Sequence, residues 1–252
     1  MSRARGGWVF GLWCGVMAFP LLAQQELRIT TGVDYPFIDS ATGEPGFLAQ
    51  VLTEALQPLG YRLKVVQSPP ARALQNANQG IDDGDLLRIA GLEQSYPNLV
   101  QVPESLFDTD FVGYTLHGEL SGEGWQRLKG LRVTYVVGWK IFEQQIDESM
   151  RAEPVRSAPQ MFKLLQAGVV DVALYEKWQG LYQARLSNLD RLQVVEPPFA
   201  TVSQYSYLHQ KHAHLIEPLA RALRELKSRG RYRQLYEQIL LPHRPPVRSQ
   251  NH

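Results

Sequence analysis

Two parts of the chain repeat the same order of elements: an amphipathic helix, a tight turn that begins with glycine, and an apolar strand. The first turn reads Gly80-Ile81-Asp82-Asp83, and the second reads Gly168-Val169-Val170-Asp171. A helix that returns through a tight turn into a buried strand is the building unit of α/β folds. The repeat therefore predicts an α/β protein with one such unit in each half, arranged as two similar lobes.

The spacing of apolar residues supports this prediction along the rest of the chain. An alternation of period two indicates strands, and a stripe of period 3.6 that ends at glycine indicates helices. A further short helix is expected after the Gly138-Trp139-Lys140 turn. The remaining predicted strands are 26–33, 61–66, 131–137 and 169–175, and the remaining helices are 47–59, 72–79, 157–165, 215–226 and 232–240.

The first residues have the pattern of a secretory signal peptide. Arg3 and Arg5 precede an apolar run from Trp8 to Ala23, and polar residues follow. The run is interrupted by glycine and is shorter than the ~20 apolar residues that span a bilayer. We therefore predict cleavage after Ala23 and a periplasmic location; a retained N-terminal anchor is the alternative.

Composition excludes several classes of protein. Cys14 is the only cysteine, so cleavage would leave a chain with neither a disulfide nor a thiol nucleophile. The chain has 26 Lys and Arg against 25 Asp and Glu, and residues 1–23 hold two Arg and no acid, which leaves a formal charge of −1. A nearly neutral domain argues against nucleic acid as a partner. About 230 residues are enough for one large or two medium-sized cores.

Motifs of catalysis, metal binding and cofactor binding are missing from the sequence. It contains neither a Gly-x-Ser-x-Gly nucleophile elbow nor a phosphate-binding glycine-rich loop. His212 and His214 are two residues apart, without a carboxylate or a third histidine at a zinc spacing. Asp82, Asp83 and Asp85 form the densest acidic cluster, which indicates either a structural turn or a site for a hard cation. We therefore expect neither a cofactor nor a metal ion, and no catalytic residue.

Several landmarks together resemble the bacterial extracellular solute-binding proteins of family 3, the periplasmic substrate-binding proteins of ABC-type polar amino-acid transporters. The landmarks occur in order and span nearly all of the mature chain: a strand into Asp34-Tyr35-Pro36-Phe37, the Gly46-Phe47 helix start, Gly80-Ile81-Asp82-Asp83-Gly84, Gly130-Leu131-Arg132-Val133 into Gly138, Leu164–Asp171, and Leu226–Gly230.

The resemblance implies a type II periplasmic binding protein fold, in which two α/β lobes are joined by two crossover strands. The crossovers would lie near Phe111–Leu116 and Tyr205–His209. The implied organisation is a signal peptide (1–23), lobe 1 (26–111 plus 206–245), lobe 2 (112–205) and a tail (246–252). Such a monomer would close on a small polar solute, an amino acid or a related molecule, and deliver it to the membrane permease of an ABC transporter.

The resemblance also implies which residues bind the ligand. Tyr35 would present an aromatic face, Gly138 with its neighbours would offer backbone N–H groups to an anion, and Glu176 would pair with a ligand amine. Loop packing for Tyr35 and an exposed position for Glu176 are the alternatives. The implied set is Asp34, Tyr35, Phe37, Arg72, Asp85, Arg88, Gly138, Trp139, Lys140, Tyr175 and Glu176.

One segment of lobe 1 departs from the family pattern. The Ser/Thr-to-Arg stretch that clamps an α-carboxylate is replaced by a segment in which Arg88 stands earlier than the clamp would. A structural ion pair between Arg88 and Asp85 is the alternative to a ligand contact. The departure leaves open an anion other than an amino acid, a peptide fragment or a modified amine as the ligand.

Two further functions stay open on the sequence. The first is a ligand-sensing periplasmic partner of a membrane signalling protein. The second is a dehydratase-like enzyme on the same fold, for which Glu176 would be the acid.

Overall fold

The computed structural model describes residues 24–118, 120–189 and 191–244. The predicted signal peptide and the predicted tail lie outside the described residues. Within these residues no helix has both the length and the apolar character needed to cross a membrane.

A mixed β-sheet and the helices on its faces form the molecule. The strands are β1 (Gln25–Thr31), β2 (Tyr61–Gln67), β3 (Gly84–Ile89), β4 (Leu99–Gln101), β5 (Phe107–Thr115), β6 (Arg132–Val136), β7 (Arg151–Val155), β8 (Val172–Glu176) and β9 (Gln193–His209). The helices are α1 (Phe47–Leu56), α2 (Pro70–Asn78), α3 (Lys140–Glu143), α4 (Ala158–Gln166), α5 (Lys177–Leu186), α6 (Ile216–Ser228) and α7 (Arg231–Ile239).

The strand order in the sheet is β2-β1-β3-β9-β5-β8-β6-β7, with β4 beside β9. β1 is parallel to β2 and β3, and β6 is parallel to β7 and β8. We call the half with β1–β4 lobe 1 and the half with β6–β8 lobe 2. The α/β class predicted from the sequence is confirmed.

The long strands β5 and β9 join the two lobes and pair with each other in antiparallel register, from Phe107 opposite Gln204 to Thr115 opposite Gln193. β5 lies beside β8 from Phe111 onward, and β9 lies beside β3 from Gln204 onward. The strands thus cross between the lobes just before Phe111 and just before Gln204. The segments expected as crossovers, Phe111–Leu116 and Tyr205–His209, lie directly after these points, where the chain already pairs with β8 of lobe 2 and with β3 of lobe 1.

The two glycine turns have the same geometry in both lobes. The backbone at Gly80 has φ 72° and at Gly168 φ 66°, the left-handed conformation in which a side chain would be strained. After Gly168 the turn extends further than predicted, because the Val169 N–H still donates to the Leu164 carbonyl of α4. β8 therefore begins at Val172 and not at residue 169.

The aspartate at the end of each turn makes the same pair of bonds to the first strand of its lobe. In lobe 1 the Asp83 N–H donates to the Arg28 carbonyl (2.7 Å), and the Arg28 N–H donates to Asp83 Oδ2 (2.8 Å). In lobe 2 Asp171 and Arg132 make the same two bonds, both 2.8 Å. The repeat seen in the sequence is thus a structural repeat of the two lobes.

The apolar stripe of α1 is fully buried against the sheet, α6 and α7. Gly60 follows the helix in the left-handed conformation, with φ 84°, and turns the chain into β2. Because α6 and α7 pack on α1, the end of the chain returns to lobe 1. The predicted C-terminal helices are confirmed.

Candidate functional site

A cleft lies where the carboxyl ends of the parallel strands of the two lobes face each other. In α/β sheets this end of the strands is where ligands bind, because loops and helix N-termini meet there. The main cavity of the cleft has a volume of about 550 Å³ and is lined from both lobes by Asp34, Tyr35, Ile38, Asp39, Ser40, Ala41, Gln67, Val136, Arg156, Ser157, Ala158, Pro159, Tyr175, Gln179, Tyr182 and Gln183.

The wall from lobe 1 carries two carboxylates in the loop that follows β1. Asp34 Oδ1 accepts a hydrogen bond from Gln67 Nε2, and its backbone N–H donates to Gln179 Oε1 of lobe 2 (3.4 Å). Asp39 Oδ1 accepts from the Gly46 N–H (2.8 Å) at the start of α1. These bonds orient both carboxylates and leave the second oxygen of each without a partner among the described residues.

Tyr35 lies between the two lobes. Its ring meets that of Tyr182 on α5 at a centroid distance of 4.6 Å and that of His243 at 5.4 Å, both edge to face. Burial raises the pKa of Tyr35 above its ordinary value. Tyr35 therefore remains a neutral donor and acceptor at the mouth of the cavity, and it packs its loop at the same time.

The wall from lobe 2 carries Tyr175 at the end of β8. Trp139 packs against Tyr175 at a centroid distance of 4.8 Å and against Phe111 at 5.9 Å. Burial raises the pKa of Tyr175 well above its ordinary value, with a smaller contribution from Asp34. Trp139 thus supports the wall from behind, and Tyr175 lines it.

Glu176 is buried beneath this wall, with a relative exposure of 1%. Its Oε2 accepts the Gln179 N–H (2.7 Å) and caps α5, whereas its Oε1 has no partner among the described residues. Burial raises the pKa of Glu176 to about 7. The exposed position considered on the sequence is wrong, because the carboxyl is enclosed between β8 and the first turn of α5.

Arg88 and Asp85 form an ion pair along β3, in which the carboxylate is buried and the guanidinium is half-buried. Arg88 Nη2 donates to Asp85 Oδ2 (2.8 Å) and to the carbonyl of Pro70 (2.9 Å). Asp85 is fully buried, and its Oδ1 has no partner among the described residues. Neither residue lines the main cavity, although Pro70 lines a smaller cavity of about 310 Å³ beside Asp34. Arg72 is exposed on α2 and lines neither cavity.

Phe37, Gly138 and Lys140 are held by other contacts. The side chain of Phe37 is fully buried and packs on Phe107 at 5.0 Å. The Gly138 N–H donates to Glu143 Oε1 (2.7 Å), and Lys140 Nζ lies 2.6 Å from Glu143 Oε2. The anion site expected at this turn is thus occupied by a carboxylate of its own helix.

The acidic cluster of lobe 1 is divided among separate cationic partners. Asp82 pairs with Arg28 (3.1 Å), and Asp83 pairs with Lys211 (2.7 Å). Among the described residues no group of three metal-ligating side chains comes together. Each acid of the cluster therefore has a structural partner.

Several lining residues were not predicted from the sequence: Asp39, Gln67, Arg156, Ser157, Gln179 and Tyr182. A signal for Arg156 was present, since it follows β7 and directly precedes the Ser157 and Pro159 start of α4. Strand-to-helix turns of this kind face the cleft in an α/β lobe. No comparable signal marks Gln179 or Tyr182, which lie inside a helix.

Comparison with known proteins supports the fold. No protein-family model matches the chain. An uncharacterized protein from Shewanella oneidensis is 28% identical over 201 residues, which are 73% of this chain and 73% of that protein. The probable amino-acid ABC transporter extracellular-binding protein ytmK from Bacillus subtilis has a TM-score of 0.72 at 16% identity, and the match covers 86% of this chain and 97% of that one. A histidine kinase sensor domain with similarity to periplasmic binding proteins has a TM-score of 0.68 at 16% identity, and the match covers 87% and 97%.

The chain has the periplasmic binding protein fold. Proteins with this fold close two lobes around a ligand by bending at the strands that join them. In this chain β5 and β9 join the two lobes, and the cavity lies between the lobes. The fold expected from the family resemblance is therefore confirmed.

Proposed function

We propose that this protein is a periplasmic solute-binding protein that captures a small polar solute, an amino acid or a related molecule, for an ABC transporter. The cavity between the lobes carries the proposal: it is lined from both sides and combines carboxylates, phenols, amides and one guanidinium. A volume of about 550 Å³ falls in the range of small-molecule sites. The likeness in fold to the extracellular-binding protein from Bacillus subtilis favours the transport role.

Hinge closure would couple binding to delivery. A ligand that touches both walls favours the closed state by its extra affinity for that state. Lobe 1 would comprise 26–111 with 206–245 and lobe 2 would comprise 112–205, as proposed from the sequence. Asp34, Tyr35 and Tyr175 would touch the ligand directly, and Glu176 would act from beneath the wall through its buried carboxyl. A cleaved signal peptide and a monomeric state belong to the same proposal.

A thermal-shift screen of the protein, purified after periplasmic expression of the full chain, tests this proposal. The panel contains amino acids, small peptides, polyamines, organic acids and nucleosides. A ligand that binds the native state raises the melting temperature. At a ligand concentration of about 100 Kd, it adds about 2.7 kcal/mol to the free energy of unfolding. We expect a large shift from one chemical class, accompanied by compaction in small-angle scattering. A flat response to every class would contradict the proposal.

The second candidate is a ligand-sensing partner of a membrane signalling protein, which the likeness in fold to a histidine kinase sensor domain favours. Uptake of the radiolabelled ligand by native cells with and without the gene separates the two roles. Loss of uptake in the deletion strain supports the transport role. Normal uptake combined with a lost transcriptional response to the ligand supports the sensing role.

A further inference from the structure

The charges on the two walls of the main cavity are opposite. Lobe 1 contributes Asp34 and Asp39, and lobe 2 contributes Arg156, the one cationic side chain among the described lining residues. A site with anionic groups on one wall and a guanidinium on the other is complementary to a zwitterion that spans the cleft.

Arg156 is free to take part in such a contact. Within the part of the chain that the structure describes, its backbone N–H donates to Gln160 Oε1 (3.3 Å), and its guanidinium makes neither a hydrogen bond nor an ion pair. Arg88, at the end of β3 in lobe 1, differs in this respect. Its Nη2 donates to Asp85 and to the Pro70 carbonyl, its Nε has no partner among the described residues, and the residue does not line the main cavity.

The turn that carries Arg156 adds further donors. Ser157 is the N-cap of α4 in an extended conformation, and its side chain makes no capping bond to the helix. The first turn of α4 contains no acidic residue. An anion held by Arg156 would therefore also lie close to backbone N–H groups that the helix leaves without partners.

We propose that Arg156 of lobe 2, and not Arg88 of lobe 1, binds the carboxylate of a zwitterionic ligand whose amine faces Asp34 and Asp39. The inference rests on the proposed solute-binding function and specifies the ligand class and the specificity residue of that same site. The planar guanidinium binds a carboxylate through two parallel hydrogen bonds, which a bare amine cannot replace. Selectivity for the acid over the corresponding amine is therefore set from lobe 2.

Matched pairs of acid and decarboxylated amine test the inference: L-arginine with agmatine, L-ornithine with putrescine, L-lysine with cadaverine, and L-histidine with histamine. Thermal shift and calorimetry are measured on the wild type, on Arg156→Gln and on the control Arg151→Gln. Arg151 is a suitable control because it is exposed at the other end of β7 and lies outside the cavity. The melting temperature without ligand verifies that each variant folds.

We expect the wild type to bind at least one acid at least tenfold more tightly than its amine. Arg156→Gln should weaken binding of that acid at least tenfold and change the affinity for the amine less than twofold. Arg151→Gln should bind both ligands as the wild type does. Arg156→Lys should recover part of the loss, because it keeps the charge without the planar fork.

Three results would overturn the inference while the proposed function stands. Arg156→Gln could bind the acid as tightly as the wild type does, or it could lose affinity for the acid and the amine equally. The third such result is a wild type that binds the amine more tightly than the acid. A wild type that binds none of these acids and responds in the broader screen only to polyamines, organic acids or nucleosides, which lack the paired amine and carboxylate, overturns the inference alone. A zwitterion found in the broader screen is compared with its own decarboxylated amine in the same variants. A wild type that responds to nothing in either panel overturns both.

Discussion

Replacing Glu176 with glutamine should make the stability of the protein depend less on pH. Glu176 has a relative exposure of 1%, and one of its carboxyl oxygens has no partner among the described residues. Burial raises its pKa to about 7 from the ordinary value of 4.5. The folded protein therefore holds this proton over a pH window in which the unfolded chain has already released it.

The sign and size of the effect follow from linkage. Because the unfolded state binds fewer protons between pH 4.5 and pH 7, the free energy of unfolding falls as the pH rises through this window, and the contribution is constant above it. At about 1.4 kcal/mol per pH unit, the window corresponds to about 3 kcal/mol. For a chain of this size, that is roughly 6–12 °C in melting temperature.

Thermal unfolding of the wild type and of Glu176→Gln, followed by circular dichroism from pH 4.5 to pH 8.5, checks this prediction. The amide donors that glutamine introduces cost the same at every pH, so the change in the difference with pH isolates the carboxyl. Glu153→Gln, at an exposed position of β7, corrects for the loss of one charge. If the difference in melting temperature between the wild type and Glu176→Gln changes by less than 2 °C between pH 4.5 and pH 8.5, the reasoning is refuted.

Three other substitutions test the packing around the cleft. Burial lowers the pKa of His243, a residue with a relative exposure of 8%, so its protonation opposes folding. His243→Phe should therefore have a higher melting temperature than the wild type, by a difference that grows as the pH falls below 6.5. A difference that does not change between pH 5 and pH 7.5 would contradict this prediction. Arg88→Gln leaves the buried Asp85 without its cation and should lower the free energy of unfolding at pH 7.5 by about 3–5 kcal/mol in urea denaturation. Adding Asp85→Asn should recover most of that loss, whereas an additive double variant would argue against a structural ion pair. In Gly84→Ala the added methyl group would overlap the carbonyl of Tyr207 on β9, so we expect the free energy of unfolding to fall by roughly 3 kcal/mol. A variant as stable as the wild type would show that β3 can move away from β9.

The sequence pattern alone was sufficient to predict the strands and helices whose apolar residues recur at a clear period. β1 and α1 were predicted because their apolar residues recur with a period of two or of 3.6, and the structure buries these residues. The glycine turns at residues 80 and 168 were visible for a related reason. Only glycine adopts their backbone conformation without strain, and an aspartate follows three residues later in both.

Local pattern was not sufficient for the composition of the cleft. Asp34 and Gln179 lie 145 residues apart in the chain and meet only because both lobes are folded and joined. Tyr182 shows the same limit, since nothing in the pattern of α5 indicates that its ring would reach Tyr35. The burial of Glu176 was hidden as well, because a glutamate at a strand end is compatible with both solvent and interior.

The sequence by itself determined the α/β class, the repeated unit in each half and the periodic strands and helices, because each follows from local backbone preference and from which side of an element avoids water. Only the tertiary structure decided the strand order, the hydrogen-bond partners of Arg88 and the presence of Arg156 and Asp34 in the lining of one cavity. These depend on which distant surfaces pack together. Packing depends on contacts between segments that are distant in the chain, so a short stretch of sequence does not predict it.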